Sequence, residues 1–257
     1  MAPARPIHAA EGCRLILEGA SAGARQMAVD EVLLETAAAT GQATLRFYQW
    51  SDPTLSLGYF QSYTRRGSHS ASSDCSVVRR LTGGGAILHD HELTYSLALP
   101  REHRLAGEPR LLYEALHDAL IDVLGHAGIA ARRRPASSAS AAATQPEFLC
   151  FLRQAEGDVL LDQTKVCGSA QRRRRGAVLQ HGSLLLARSQ FAPELPGILE
   201  LAGQKLSAGE TAQAWAGEIG LALELSLEKG QLSAAEQESV QRLVDVRYAS
   251  DGWTQRR

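Results

Sequence analysis

Between residues 44 and 99 the chain breaks into five short alternating segments, and this stretch constrains the fold more than any other. TLRFYQW (44–50), TLSLGYF (54–60), SVVRR (76–80), AILHD (86–90) and LTYSLAL (93–99) carry the two-residue period of strands. Asp52-Pro53 and Gly83-Gly84-Gly85 supply turns between them. Helical patterns stand on either side. Residues 24–39 place Met27, Leu33, Leu34 and Ala37 near one face, with Ser21 as the expected cap and Gly41 as the stop. Residues 111–126 carry an apolar stripe of Leu112, Leu116, Leu120, Val123 and Leu124 that Gly128 can close. A doubly wound parallel sheet needs a crossover helix after each strand, which is missing here. The pattern therefore predicts an α+β fold with a mostly antiparallel sheet flanked by helices.

Residues 131–146 are rich in Ala, Ser and Pro without periodicity, and are expected to form a mobile loop inside a single domain spanning 1–257. Two further strands are expected at 157–168 and 177–187. Helices are expected at 211–227 and 234–250, the latter capped by Ser233. No apolar run approaches the ~18–20 residues of a membrane span. The N-terminal stretch lacks the apolar core of a secretory signal. Four cysteines (Cys13, Cys75, Cys150 and Cys167) without a CxxC pair fit reduced thiols in the cytoplasm. A net charge of −1 argues against a global nucleic-acid-binding field. Arg132–Arg134 and Arg172–Arg175 are local basic patches, suited to a solvated turn or to steering an acidic protein partner. No spare hydrophobic face is evident, so a monomer is expected.

Three segments can carry chemistry. In RRLTGGGAILHD (79–90) three glycines strip the side chains from a turn, so a ligand can lie on its backbone N–H groups. Arg79, Arg80, Thr82 and His89 cluster around Gly83, Gly84 and Gly85. The turn lacks the Gly-Lys-Ser/Thr of a phosphate-binding loop, and Leu88 occupies the place of a dinucleotide fingerprint's third glycine. In TKVCGSAQ…LQHGSLLL (164–186) Lys165 is one of only three lysines among 27 basic residues. Gly168, Ser169 and Ala170 leave room beside it for a threaded chain, where a lysine can polarise a carbonyl. Surface lysines and core histidines are the commoner roles for residues such as Lys165 and His181. Cys150, in EFLCFL, is either an inert hydrophobe between aromatics or a nucleophile. Cys167, two residues after Lys165 on an expected strand, competes for the same role on the same face. No His or Cys spacing resembles a structural zinc site.

In order along the chain, MAVDEVLLE, PTLSLGYFQ, RRLTGGGAILHD, KVCGSAQ…LQHGSLLL and RYASDGWTQRR resemble the lipoate–biotin protein ligase superfamily, in its lipoyl and octanoyl transfer branch. The resemblance implies a fold related to class II aminoacyl-tRNA synthetase cores and a tunnel for a medium-chain acyl tail. It implies that Arg79, Arg80 and Gly83–Gly85 line the tunnel mouth and that Lys165 meets the acyl carbonyl; Thr82 and His89, clustered about the turn, are expected to bind substrate with them. Gly168, Ser169, Ala170, Gln171, His181, Gly182 and Ser183 would form the opposite wall. One transferase branch carries a cysteine followed by phenylalanine ahead of the lysine motif, where this chain has Cys150-Phe151. That ranks Cys150 above Cys167 and implies an octanoyltransferase of lipoate assembly, without a metal or cofactor. Octanoyl-acyl carrier protein would be the donor, and a lipoyl-domain protein such as the glycine cleavage H protein the acceptor. An ATP-dependent lipoate–protein ligase, a lipoyl amidotransferase and a non-catalytic lipoyl-binding paralogue are the alternative readings.

Overall fold

A computed structural model describes residues 10–136 and 147–257. Its strands are β1 (Glu11–Ser21), β2 (Ala43–Trp50), β3 (Thr54–Leu57), β4 (Ser76–Arg79), β5 (Ile87–His89), β6 (Glu92–Leu99), β7 (Ala131–Arg133), β8 (Val159–Leu161), β9 (Thr164–Arg174), β10 (Ala177–Leu185) and β11 (Leu225–Lys229). The helices are α1 (Gly23–Thr40), α2 (Pro109–His126), α3 (Ile198–Ala202), α4 (Ala208–Leu223), α5 (Ala234–Leu243) and α6 (Asp251–Thr254). Eight strands form the main sheet in the order β11-β1-β2-β6-β10-β9-β8-β7, and β4-β3-β5 form a small second sheet. From β2 through β6, β10, β9 and β8 to β7 every pairing is antiparallel, whereas β1 runs parallel to both β2 and β11. The α+β class with a mostly antiparallel sheet is as expected.

The strand period sorts side chains into two layers. On β2, Leu45 and Phe47 face a core built with Leu112, Leu116 and Leu120 of α2 and Trp215 and Ile219 of α4. Tyr48 and Trp50 face the opposite core, with Met27, Val29 and Leu33 of α1 and Val240 of α5. Trp215 is fully buried, 4.6 Å from Tyr95 and 5.6 Å from Phe47 between ring centroids, and its indole N–H donates to Leu116 O at 3.0 Å. A third cluster joins Leu55 and Leu57 of β3 to Phe148 and Phe151, fastening the segment around Cys150 to the small sheet. Among the described residues no helix is long and apolar enough to cross a membrane.

Several boundaries differ from expectation, each for a local reason. Residues 11–21 form a strand, so β1-α1-β2 is a parallel crossover unit. Ser21 ends that strand instead of capping α1, whose cap residue Ala22 makes no side-chain bond. The helix expected over 211–227 stops at Leu223. Glu224 takes a left-handed φ of 58° and turns the chain into β11. The strand expected over 157–168 is divided at Asp162 (φ 53°) into a β8–β9 hairpin. Ser233 does cap α5, paired reciprocally with Glu236, but the helix expected to reach 250 gives way to a π turn at Val244–Tyr248. Of the loop expected at 131–146, Ala131–Arg133 is strand β7 and residues 137–146 lie outside the described residues.

Candidate active site

A cavity of about 570 Å³ opens between the central strands and the small sheet. The fold brings most of the residues singled out in the sequence to its wall: Arg80, Gly83, Gly84, His89, Cys150, Lys165, Gly168, Ser169, Ala170, Gln171, His181, Gly182 and Ser183. Arg79, Thr82 and Gly85 do not line it. Arg79 is fully buried behind the mouth. Its guanidinium donates to the carbonyls of Gly58 (2.8 Å), Gln61 (2.7 Å) and Thr254 (2.7 Å), clipping α6 to the small sheet. Thr82 sits one shell out, with its hydroxyl 2.7 Å from His181 Nε2.

The glycine turn places the cysteine. Cys150 N–H donates to Ala86 O at 2.7 Å and Ala86 N–H to Phe148 O at 3.0 Å, so the segment lies directly against the turn. A Cβ at Gly85 would stand 3.0 Å from Phe148 O and 3.1 Å from Cys150 N, tight contacts that would require this backbone to shift by a few tenths of an ångström. Arg80 braces the turn from below by donating to the carbonyls of Gly83 and Gly85, both at 2.7 Å, and to Ser56 O at 2.7 Å. Burial pulls its guanidinium down to about 10, which leaves it charged at neutral pH.

Lys165 Nζ stands 4.0 Å from Cys150 Sγ, 2.9 Å from an Asp158 carboxylate oxygen and 5.3 Å from the centre of the Phe151 ring. Both Lys165 and Asp158 are buried. Asp158 is held in turn by Tyr113 Oη at 2.8 Å and by Ala155 N–H at 2.7 Å. Sequence reasoning missed Asp158 and Tyr113. The one available signal was a carboxylate immediately before the wholly apolar strand Val159–Leu161.

Cys167 goes elsewhere. The β8–β9 register shifts so that Val159 pairs with Cys167 while Leu160 pairs with Lys165. This bulge cancels the two-residue alternation that would have placed Cys167 and Lys165 on one face. Cys167 is packed in the core beside Val159 and Val166, and burial raises its thiol well above the ordinary range. Burial also pushes Cys13 up to about 12 and raises Cys75. Of the four cysteines, Cys150 alone lines the cavity and alone is not buried.

The remaining wall is fixed by buried polar networks. His181 Nδ1 lies 2.9 Å from Asp30 Oδ2, and Asp30 also accepts from Arg46 at 2.9 Å and from Tyr48 Oη at 3.0 Å. Burial opposes the Asp30 charge, but the bonds and charges of His181 and Arg46 outweigh it and hold the carboxyl below its usual range. The His181–Asp30 pair is thus an orienting one. His89 stacks on Trp50 with ring centroids 3.9 Å apart and meets Ser56 Oγ at 2.8 Å. Ser169 Oγ meets Tyr95 Oη at 2.8 Å and His117 Nε2 at 2.6 Å, and His117 Nδ1 reaches Gly157 O at 2.7 Å.

His117 carries a pH consequence. Burial lowers it to about 4, below the ~6.5 of a free imidazole. The unfolded chain therefore binds the proton first. Stability is full above about pH 6.5 and is lost as pH falls from there towards 4, by up to about 3 kcal/mol. Thermal melting across that window should show the loss, and His117→Gln should flatten it.

Comparison with known proteins identifies the family. A family model described as the lipoyl protein ligase A/B catalytic domain matches residues 22–212. The chain belongs to this family. The octanoyltransferase LipM of Kyrpidia tusciae is 33% identical over 95% of this chain and 98% of its own. That of Bacillus subtilis is 29% identical over 96% and 99% respectively. Among solved structures, lipoate-protein ligase A bound with ATP superposes with a TM-score of 0.75 at 22% identity, over 95% of this chain and 98% of that one. A bi-partite lipoate protein ligase from Thermoplasma acidophilum gives 0.73 at 20% identity, over 96% of each. These likenesses establish the lipoate–biotin ligase fold that the sequence motifs implied.

Proposed function

We propose that this protein is an octanoyltransferase of lipoate assembly that works through a thioester on Cys150. The observation that carries the reading is the pairing of Cys150 with Lys165 in the cavity wall. It is supported by relatives named octanoyltransferase that align over nearly the whole chain. The donor is octanoyl-acyl carrier protein, and the acceptor is a lysine of a lipoyl-domain protein such as the glycine cleavage H protein.

Transfer runs in two acyl steps. The Cys150 thiolate, facing the Lys165 ammonium, attacks the thioester carbonyl. The new carbon–sulfur bond forms as the bond to the carrier's sulfur breaks, and that sulfur leaves as a thiolate that takes its proton from solvent. The acceptor's neutral amine then attacks the octanoyl-enzyme. An amide forms, the proton of the amine is lost, and Cys150 departs as thiolate. Both tetrahedral intermediates carry an oxyanion. The Lys165 charge and the N–H groups of the Gly83–Gly85 turn are its stabilisers. Ser169 is a poorer source, because its N–H already donates to Tyr113 Oη at 3.2 Å. Thioester to amide is downhill, so no nucleotide is consumed.

The test is transfer to a lipoyl domain from octanoyl-acyl carrier protein in the absence of ATP, beside a reaction with free octanoate and MgATP. Modification in the first tube alone is the expected result. Modification in the second tube alone would make the protein a ligase.

A further inference from the structure

The fold treats the arginine-rich stretches of this chain very differently. Arg133 is tied to Glu114 at 3.1 Å and Asp118 at 2.5 Å, Arg132 donates to Asp162 O at 3.0 Å, and Arg134 to Gln154 O. Arg174 pairs with Glu35 at 2.5 Å and Glu31 at 3.6 Å. Three guanidiniums are used in another way. Arg172 and Arg256 lie over the Tyr59 ring, 5.2 and 4.0 Å from its centre, and Arg257 lies 5.3 Å from the centre of Phe60. Among the described residues none of these three forms an ion pair. Phe60 is 68% exposed.

This cluster adjoins the mouth of the cavity. Tyr59 N–H donates to Thr82 O at 2.8 Å, and Gly58 packs on the carbonyl of Gly84, which lines the cavity. On the facing strand Gln171 lines the cavity and Arg172 is the next residue. Arginines set around a half-buried tyrosine and an exposed phenylalanine are the composition of an interface centre. In a chain of net charge −1 the local positive potential has no general cause.

We propose that Tyr59, Phe60, Arg172, Arg256 and Arg257 form the docking surface for the acidic carrier protein that delivers the acyl thioester. The proposal rests on the acyl-transfer reading above and names which of the arginines perform the steering. A carrier that presents its acyl group on a phosphopantetheine arm brings carboxylates and a phosphodiester to the mouth, and guanidinium binds both with paired hydrogen bonds. An acceptor brings its reacting lysine, a cation that this patch repels.

The experiment compares two donors, octanoyl-acyl carrier protein and the small neutral thioester octanoyl-N-acetylcysteamine, for Arg172→Glu, Arg257→Glu and the double variant. Each reversal should raise KM for the carrier donor by about tenfold and flatten the salt dependence of its kcat/KM. Kinetics with the small thioester should stay within about twofold of wild type. Phe60→Asp serves as a second probe whose exposed position leaves the melting temperature unchanged. Equal losses with both donors, no loss with either, or a rise in KM for the lipoyl acceptor instead would overturn the assignment. Absence of product from wild type with either donor would overturn the acyl-transfer reading itself.

Discussion

Cys150→Ala should lose transfer activity by on the order of 10³-fold or more, with the fold intact. No other thiol can substitute. Cys167 is wholly buried in the core, and burial raises the thiols of Cys13, Cys75 and Cys167. Cys150 instead stands at the cavity wall with Lys165 Nζ at 4.0 Å. Cys167→Ser, which removes the competing thiol, should leave kcat within a factor of a few. Initial rates of octanoyl transfer to a lipoyl domain measure both. Retained turnover in Cys150→Ala would exclude a covalent role for the cysteine.

Gly168→Ala should lower kcat by on the order of 10²-fold while leaving the melting temperature close to wild type. A Cβ at Gly168 would fall 2.5 Å from Lys165 Nζ and 3.1 Å from Asp158 Oδ1. The end of a lysine side chain is flexible, so the fold absorbs the methyl by displacing the ammonium. The displacement is the damage, because it takes Lys165 from both Asp158 and Cys150. Asp158→Asn should reproduce much of the loss by removing the charge that holds Lys165 in place. A Gly168→Ala enzyme with normal kcat would show that the position of Lys165 is immaterial.

The outline of this site was legible because its demands are written in small and rare residue types. Two of the three adjacent glycines, a lysine in an arginine-rich chain and the small residues after it reached the cavity wall. What sequence reading missed depends on tertiary contacts. Asp158 immediately precedes β8, Tyr113 and His117 lie on α2, and their partners lie 7 to 52 residues away; Asp158 meets Lys165, Tyr113 meets Asp158, and His117 meets Ser169. The rank of Cys167 could not be settled from a two-residue period, since one bulge in β9 reverses its direction. Arg79 and Arg80 look alike in sequence. Yet one clips α6 to the small sheet and the other supports the glycine turn, a difference set by strand alternation against two separate backbones. Strands β1 and β11 escaped notice because each is buried on only part of its length, and both lie at the parallel edge of an otherwise antiparallel sheet.

The covalent intermediate is the central claim, and intact-protein mass spectrometry tests it most directly. Wild type, Cys150→Ser and Cys167→Ser are each mixed with octanoyl-acyl carrier protein, without ATP or acceptor. The account predicts one octanoyl adduct, labile to hydroxylamine, on wild type and Cys167→Ser and missing from Cys150→Ser. An adduct that survives in Cys150→Ser, or none on wild type, would contradict it.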